Sequence, residues 1–262
     1  IAKLFIAGVL PGLMLAGLFS GYIIYWALRY PDQVPANDRQ YTFMEKVRES
    51  GSLIPVVCLI AAVLGSIYAG IATATEAAAV GVVGAMVLSA AQGSLNWSSF
   101  KESLMGATRL YCMIALILAG ASFLTLSMGY IGLPRHLAEW IATLGLSQFE
   151  LILALTVFYV VLGCFLDGIS MVVLTMGVIM PTVQKAGIDP LWFGIFIVLV
   201  VEMAQITPPV GFNLFVLQGM TGRDLLWIAK ATLPMFFLMV VAVLLIYFFP
   251  GIVTWMPQQM KL

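Results

Sequence analysis

The sequence predicts an all-α polytopic membrane protein, and three observations predict it. Of its 262 residues, 62% are hydrophobic and 9% charged, and the mean hydropathy is +1.07, far outside the range of soluble domains. The apolar residues come in blocks of roughly 20, long enough to span the hydrocarbon core as a helix. The charged residues sit mostly in the gaps between these blocks. The 12 basic and 12 acidic residues cancel and form no long run, which argues against nucleic acid or a polybasic surface patch. Cys58, Cys112 and Cys164 are widely spaced inside apolar stretches, so they read as buried thiols rather than a disulfide framework or a CxxC site. The single histidine, His136, lies in a gap beside Arg135, which disfavours a His-based metal centre or a Ser/His/Asp triad. The chain opens on Ile1 with neither a basic n-region nor a small-residue cleavage site, unlike a signal peptide; a fragment of a longer polypeptide is the expectation.

In order, residues 4–28 form the first expected span, with Pro11-Gly12 as an early irregularity and Tyr22, Tyr25, Trp26 and Tyr30 as an interfacial belt. Residues 44–50 read as a short interfacial helix with Glu45, Lys46, Arg48 and Glu49 facing water. Two apolar segments, 53–70 and 76–91, are joined by a turn in which Thr73 and Glu76 have capping-box spacing; an ion-pathway role for Glu76 is the alternative. Residues 93–107 are amphipathic and read as a second interfacial arm, followed by a span over 108–128. Arg135, His136 and Glu139 then fall on a short exposed helix within 129–147.

The block 148–186 is too long for one crossing at 1.5 Å per residue. At its midpoint stand Gly163-Cys164-Phe165-Leu166-Asp167-Gly168-Ile169-Ser170. A lone aspartate is costly in lipid and must face protein, water or a cation. This predicts a re-entrant helical hairpin with its tip at 163–170; two complete spans with a polar turn are the alternative. The charge distribution favours the hairpin, since it places Arg29, Arg39, Lys46, Arg48, Lys101, Arg109, Arg223 and Lys230 on the cytoplasmic side and only Lys3, Arg135, Lys185 and Lys261 outside.

The run 191–217 is interrupted by Gln205-Ile206-Thr207-Pro208-Pro209-Val210-Gly211. Each proline lacks an amide hydrogen and clashes with the carbonyl four residues back, so the carbonyls of Ala204 and Gln205 lose their helical partners. A discontinuous transmembrane helix is therefore expected, its break buried in protein or lining a cavity. Residues 222–230 read as a short interfacial stretch and 231–249 as the last span, ended by Pro250-Gly251.

The two breaks supply carbonyls, one carboxylate and the hydroxyls of Ser170 and Thr207, an oxygen-rich set suited to Na⁺. The half-helix restarting near Phe212 and Asn213 offers its positive end to a carboxylate. The plainer alternatives are a simple proline kink, a capping role for Asp167 and a Thr207 bond to a neighbouring carbonyl. Glu202, one turn before the break, reads as structural support. Enzyme classes fit poorly: an intramembrane aspartyl protease needs two deep aspartates, and only Asp167 is deep. A non-transporting assembly subunit and an ion channel are the competing functional classes.

Four segments carry a resemblance: 70–79 (GIATATEAAA), 163–167 (GCFLD), 187–190 (GIDP) and 207–216 (TPPVGFNLFV). In order and spacing the chain resembles the carboxy-terminal half of the large membrane subunit, of the DctM and SiaM type, of tripartite ATP-independent periplasmic (TRAP) transporters. Ala74 departs from the family's usual proline in the first segment. The resemblance implies the second inverted repeat of an elevator-type ion transporter fold. It divides the chain into a last span of the preceding repeat (1–28), scaffold spans with arm helices and the start of the transport domain (29–147), a transport-domain hairpin and broken helix (148–220), and a final span with a periplasmic tail (221–262). It implies import of an organic acid by Na⁺ symport across a bacterial inner membrane, sialic acid being favoured and C4-dicarboxylate next. The implied partners are a periplasmic substrate-binding protein, a small four-helix membrane subunit (separate or fused) and the first repeat of the same large subunit. By position, Gly163, Cys164, Asp167, Thr207, Val210 and Gly211 would border a Na⁺ site, Ser170 and Asn213 would face the substrate, and Pro208 and Pro209 would make the helix break.

Overall fold

The computed structural model describes residues 2–33, 42, 44, 45, 50–208 and 211–259. Lys46, Arg48, Glu49, Arg39, Lys261, Pro209 and Val210 lie outside the described residues. Among the described residues the chain is helical, with no strand. The α-helices are α1 (Ala2–Ala7), α2 (Val9–Arg29), α3 (Ile54–Tyr68), α4 (Ala74–Ala91), α5 (Trp97–Ile131), α6 (Leu133–Thr143), α7 (Gln148–Gly163), α8 (Gly168–Lys185), α9 (Pro190–Gln205), α10 (Phe212–Thr221), α11 (Leu225–Phe248) and α12 (Gly251–Gln258). Among the described residues, five helical stretches are long and apolar enough to cross a membrane.

Three boundaries differ from those expected. The first span is interrupted at Gly8, not at Pro11-Gly12. Pro11 falls in the first turn of α2, where amides have no intrahelical partner and a missing N–H costs nothing. The amphipathic arm and the span expected over 93–107 and 108–128 form one continuous helix, α5, of 35 residues. It starts where the Asn96 side chain accepts from the Ser99 amide at 2.8 Å, and no proline follows to stop it. Most of the stretch 222–230 likewise, residues 225–230, belongs to α11, which begins directly after Asp224, whose side chain accepts from the Leu226 amide, and carries Pro234 in its interior. Cys58 and Cys112 are exposed rather than buried, consistent with helix faces that meet lipid.

The chain divides into two compact units. In the unit built mainly from residues 21–110, α3 packs on α4. Their axes approach closely because Gly84 faces Leu59 where a Cβ would overlap the side chain. The expected capping box opens α4: Glu76 Oε2 accepts from the Thr73 amide at 2.8 Å, and Thr73 Oγ1 accepts from the Glu76 amide at 3.3 Å.

In the other unit, built mainly from residues 111–260, the hydrophobic core gathers around α9, with Phe193, Phe196, Val200, Met203 and Ala204 fully buried. Helix α9 packs against α7, α8, α11 and α12, and α6 lies against α8. A hydrogen bond fixes one end of α9. Pro250 has no amide to give the Ile246 carbonyl four residues earlier, and the buried Trp192 indole donates to that carbonyl at 2.9 Å instead. Helices α7 and α8 form a helical hairpin. Gln148 Nε2 at the start of α7 donates to the Ala186 carbonyl at the end of α8, and halfway along Tyr159 Oη and Thr175 Oγ1 are 2.7 Å apart. Because Thr175 donates to the Met171 carbonyl, Tyr159 is the donor of that pair. The base of the hairpin ends in a Schellman turn: Gly187, at φ +73°, donates to the Gln184 carbonyl, and Ile188 to that of Val183.

Candidate functional site

The hairpin tip lies against the end of α9. Helix α7 stops at Gly163, and residues 164–167 turn the chain into α8. A Cβ at 163 would overlap the Cβ of Ala204, so only glycine lets the two backbones approach this closely. Gly168 repeats the device on the other arm, where a Cβ would stand 2.5 Å from Gln205 Nε2 and 2.7 Å from Val201 Cγ1. Between these contacts the Cys164 thiol donates to the Pro208 carbonyl at 3.2 Å and to the Val160 carbonyl at 3.3 Å. The tip of one broken element thus touches the break of the other.

Asp167 is half-buried and caps α8. One carboxylate oxygen accepts from the amides of Ile169 (3.1 Å) and Ser170 (3.2 Å), and the other accepts from the Ser170 hydroxyl. Ser170 is buried and turned to Asp167. The capping alternative for Asp167 is therefore realised. Three of the roughly four acceptor positions of a carboxylate are used, and one on Oδ1 is left.

At the second break α9 ends with Gln205. The Ala204 carbonyl, deprived of the Pro208 amide, accepts from the Thr207 amide at 3.1 Å. Thr207 Oγ1 donates to the Met203 carbonyl at 2.8 Å, the local bond anticipated as its plainer role. Gly211 donates to the Thr207 carbonyl at 3.1 Å, and its α-carbon packs so tightly that a Cβ would lie 2.7 Å from the Gln205 carbonyl oxygen. Helix α10 begins after Gly211, which has no side chain to cap it. Its first turn differs in this from α4, α7, α8, α9 and α11, which open on Thr73, Ser147, Asp167, Asp189 and Asp224. Asn213, in that first turn, directs Nδ2 to Glu202 Oε2 at 3.5 Å.

Of the expected site residues, the structure brings Gly163 and Cys164 to the α9 break and keeps Thr207, Pro208 and Gly211 together within it. Among the described residues no hydrogen bond joins Asp167 to Thr207. Ala204 and Gln205 stood out in the sequence for their carbonyls and Gly168 as part of the tip, but the close packing they make with each other, with Gly163 and with Val201 did not. A small residue inside a helix has many possible causes, and only the facing glycine shows which applies.

The electrostatics of the junction favour a cation. Helices α7 and α9 both end here, each presenting the negative end of its dipole, about half an elementary charge. Among the described residues no backbone amide bonds to the carbonyls of Gly163 or Cys164. These carbonyls, Thr207 Oγ1 and the remaining Asp167 position are hard oxygen donors of the kind Na⁺ takes. The start of α10 has the opposite polarity and suits an anion.

The family model described as "Tripartite ATP-independent periplasmic transporter, DctM component" matches residues 1–252. The chain belongs to this family. Relatives include the C4-dicarboxylate TRAP transporter large permease proteins of Pseudomonas aeruginosa, 31% identical over 98% of this chain and 60% of the relative, and of Rhodobacter capsulatus, 32% identical over 98% of this chain and 58% of the relative. The sialic acid TRAP transporter large permease protein of Vibrio cholerae is 26% identical over 98% of this chain and 60% of the relative. The chain therefore spans about three-fifths of the length of these DctM-family relatives, and it is related to transporter permeases rather than to enzymes.

Proposed function

We propose that this chain is the second-repeat portion of a TRAP large permease that imports an organic acid together with Na⁺. The observation that supports it best is the contact of the two breaks, where Cys164 bonds to the Pro208 carbonyl and Gly163 abuts Ala204. In this reading residues 148–220 belong to the moving transport domain of an elevator and 29–147 mainly to its scaffold, with 1–28 closing the preceding repeat and 221–262 forming the last span. The hairpin is re-entrant; its first arm, α7, has 16 residues, or about 24 Å, less than the roughly 30 Å of hydrocarbon.

Na⁺ would sit between the carbonyl ends of α7 and α9, with Asp167 and Thr207 contributing oxygen and Gly163, Cys164 and Gly211 forming the walls. The acid's carboxylate would meet the uncapped first turn of α10 near Asn213. Moving either ion alone across lipid is prohibitive. A cation at the junction offsets the anion's charge and orders the backbone that holds it, so each ligand raises the other's affinity. Sialic acid is the substrate expected from the resemblance, while two of the relatives are named for C4-dicarboxylates; both acids belong in the test. The partners in this reading are a periplasmic binding protein that delivers the acid, a small membrane subunit and the first repeat of the same permease in the bacterial inner membrane.

The test is uptake of labelled succinate and of labelled N-acetylneuraminate into vesicles carrying the complete permease, its small subunit and its binding protein. Uptake of one acid that requires Na⁺ and the binding protein is expected. Flux independent of both would indicate a channel, and no flux of either acid would favour an assembly subunit; each result contradicts the proposal.

A further inference from the structure

We infer that Glu202 is a positioning residue: it holds the Asn213 side chain across the proline break and so sets which atoms the start of α10 offers to an anion. This rests on the transport reading above. Helix α9 is buried on nearly every face, and Gly194, Val198 and Glu202, four residues apart, form a stripe outside the buried core, with Val198 and Glu202 exposed. Glu202 is the only charged residue of α9. A carboxylate in so apolar a helix is costly unless a partner offsets its desolvation. Among the described residues no Lys or Arg pairs with it; its partner is Asn213 Nδ2, eleven residues on and beyond the break, at 3.5 Å.

The chemistry of this contact determines its direction. An ionised carboxylate only accepts, whereas a side-chain amide has one end that donates and one that accepts. Glu202 therefore selects the rotamer in which Asn213 turns its nitrogen towards α9. One Nδ2 hydrogen is used, and the second hydrogen and Oδ1 are left in a defined orientation at the uncapped turn. The contact also ties the two half-helices together where the prolines have removed backbone hydrogen bonds. An isolated Asn213 would be free to flip, and half of its orientations would present an acceptor where a carboxylate needs a donor.

The test is a double-substitution cycle in the complete permease with its partners, read by uptake of labelled succinate and labelled N-acetylneuraminate at saturating Na⁺. Glu202→Leu is expected to raise KM about fivefold with kcat nearly unchanged, the loss of one hydrogen bond's worth of preorganisation. Glu202→Gln, whose amide can donate to Asn213 Oδ1 as readily as it accepts from Nδ2 and so no longer selects one orientation, is expected to raise KM about twofold, between native and Glu202→Leu. In an Asn213→Ala background Glu202→Leu is expected to add nothing. An undiminished effect in that background, or a Glu202→Gln variant with the native KM, overturns the inference. The same cycle read by thermal unfolding of the purified permease should also be non-additive, and additive losses overturn the inference. If the native permease takes up neither acid, the transport reading fails, and the unfolding cycle alone decides the role of Glu202.

Discussion

The hairpin tip and the proline break interrupt neighbouring apolar helices and touch each other, yet they are finished by different chemistry. At the tip, Asp167 supplies acceptors for the amides and hydroxyl that open α8, so the start of that helix is capped by its own turn. At the proline break, Thr207 repairs the end of α9, but Gly211 leaves the start of α10 without a side-chain cap. A self-capped turn is a rigid wall, while an uncapped helix start keeps its amides available to a ligand. In the proposed transport reading this difference gives the two breaks different roles, with the tip shaping the junction and the proline break receiving the anion.

The largest effect is expected from separating the two breaks. Gly163→Val would drive a branched side chain into Ala204, and overpacking of this kind costs about 1–3 kcal/mol or more; thermal unfolding should show a large loss, with uptake abolished. Gly163→Ala combined with Ala204→Gly should recover much of the stability, because the methyl group only changes sides.

Next in size is Trp192→Phe, which acts on α9 far from either break. It strands the buried Ile246 carbonyl at a cost of about 1–3 kcal/mol. Stability should fall while the Na⁺ dependence of the remaining uptake stays native.

Asp167→Asn should do the reverse. The amide oxygen can still accept from the Ile169 and Ser170 amides, so stability is nearly kept. Loss of the charge should raise the half-saturating Na⁺ concentration about tenfold, equivalent to about 1.4 kcal/mol. Na⁺ activation like that of the native permease would remove Asp167 from the cation site.

The smallest effect is expected at the exposed Arg135–Glu139 pair on α6, 2.9 Å apart. The guanidinium holds the Glu139 carboxyl below its usual range, so whatever the pair contributes is present above that range and lost as pH falls through the lowered value. Solvent screens such pairs strongly, and Glu139→Gln should leave the unfolding temperature unchanged at neutral pH.

Much of this was legible in the sequence because it rests on strong local rules. Consecutive prolines predicted the end of α9, the glycine-flanked Asp167 predicted the hairpin tip, and the Thr73 and Glu76 spacing predicted a capping box that is present. The failures share a cause. Polar residues such as Lys101 and Glu102 suggested an arm distinct from the span that follows, yet polarity does not stop a helix, and α5 runs straight through. Pro11 suggested an irregularity, but a proline in a first turn is harmless, and Gly8 ends α1 instead. The packing of Gly163 on Ala204, and the Trp192 bond to a carbonyl freed by Pro250, join residues 41 and 54 positions apart; no local rule reaches that far.

The most direct test is the rate at which a small thiol reagent modifies Cys164, with Cys58 and Cys112 replaced by serine, in membranes bathed in Na⁺ or in K⁺. If a sodium ion occupies the junction of the two breaks, Na⁺ should slow the reaction about tenfold relative to K⁺, and Asp167→Asn should erase the difference. Equal rates in the two salts would contradict a Na⁺ site where Cys164 meets Pro208.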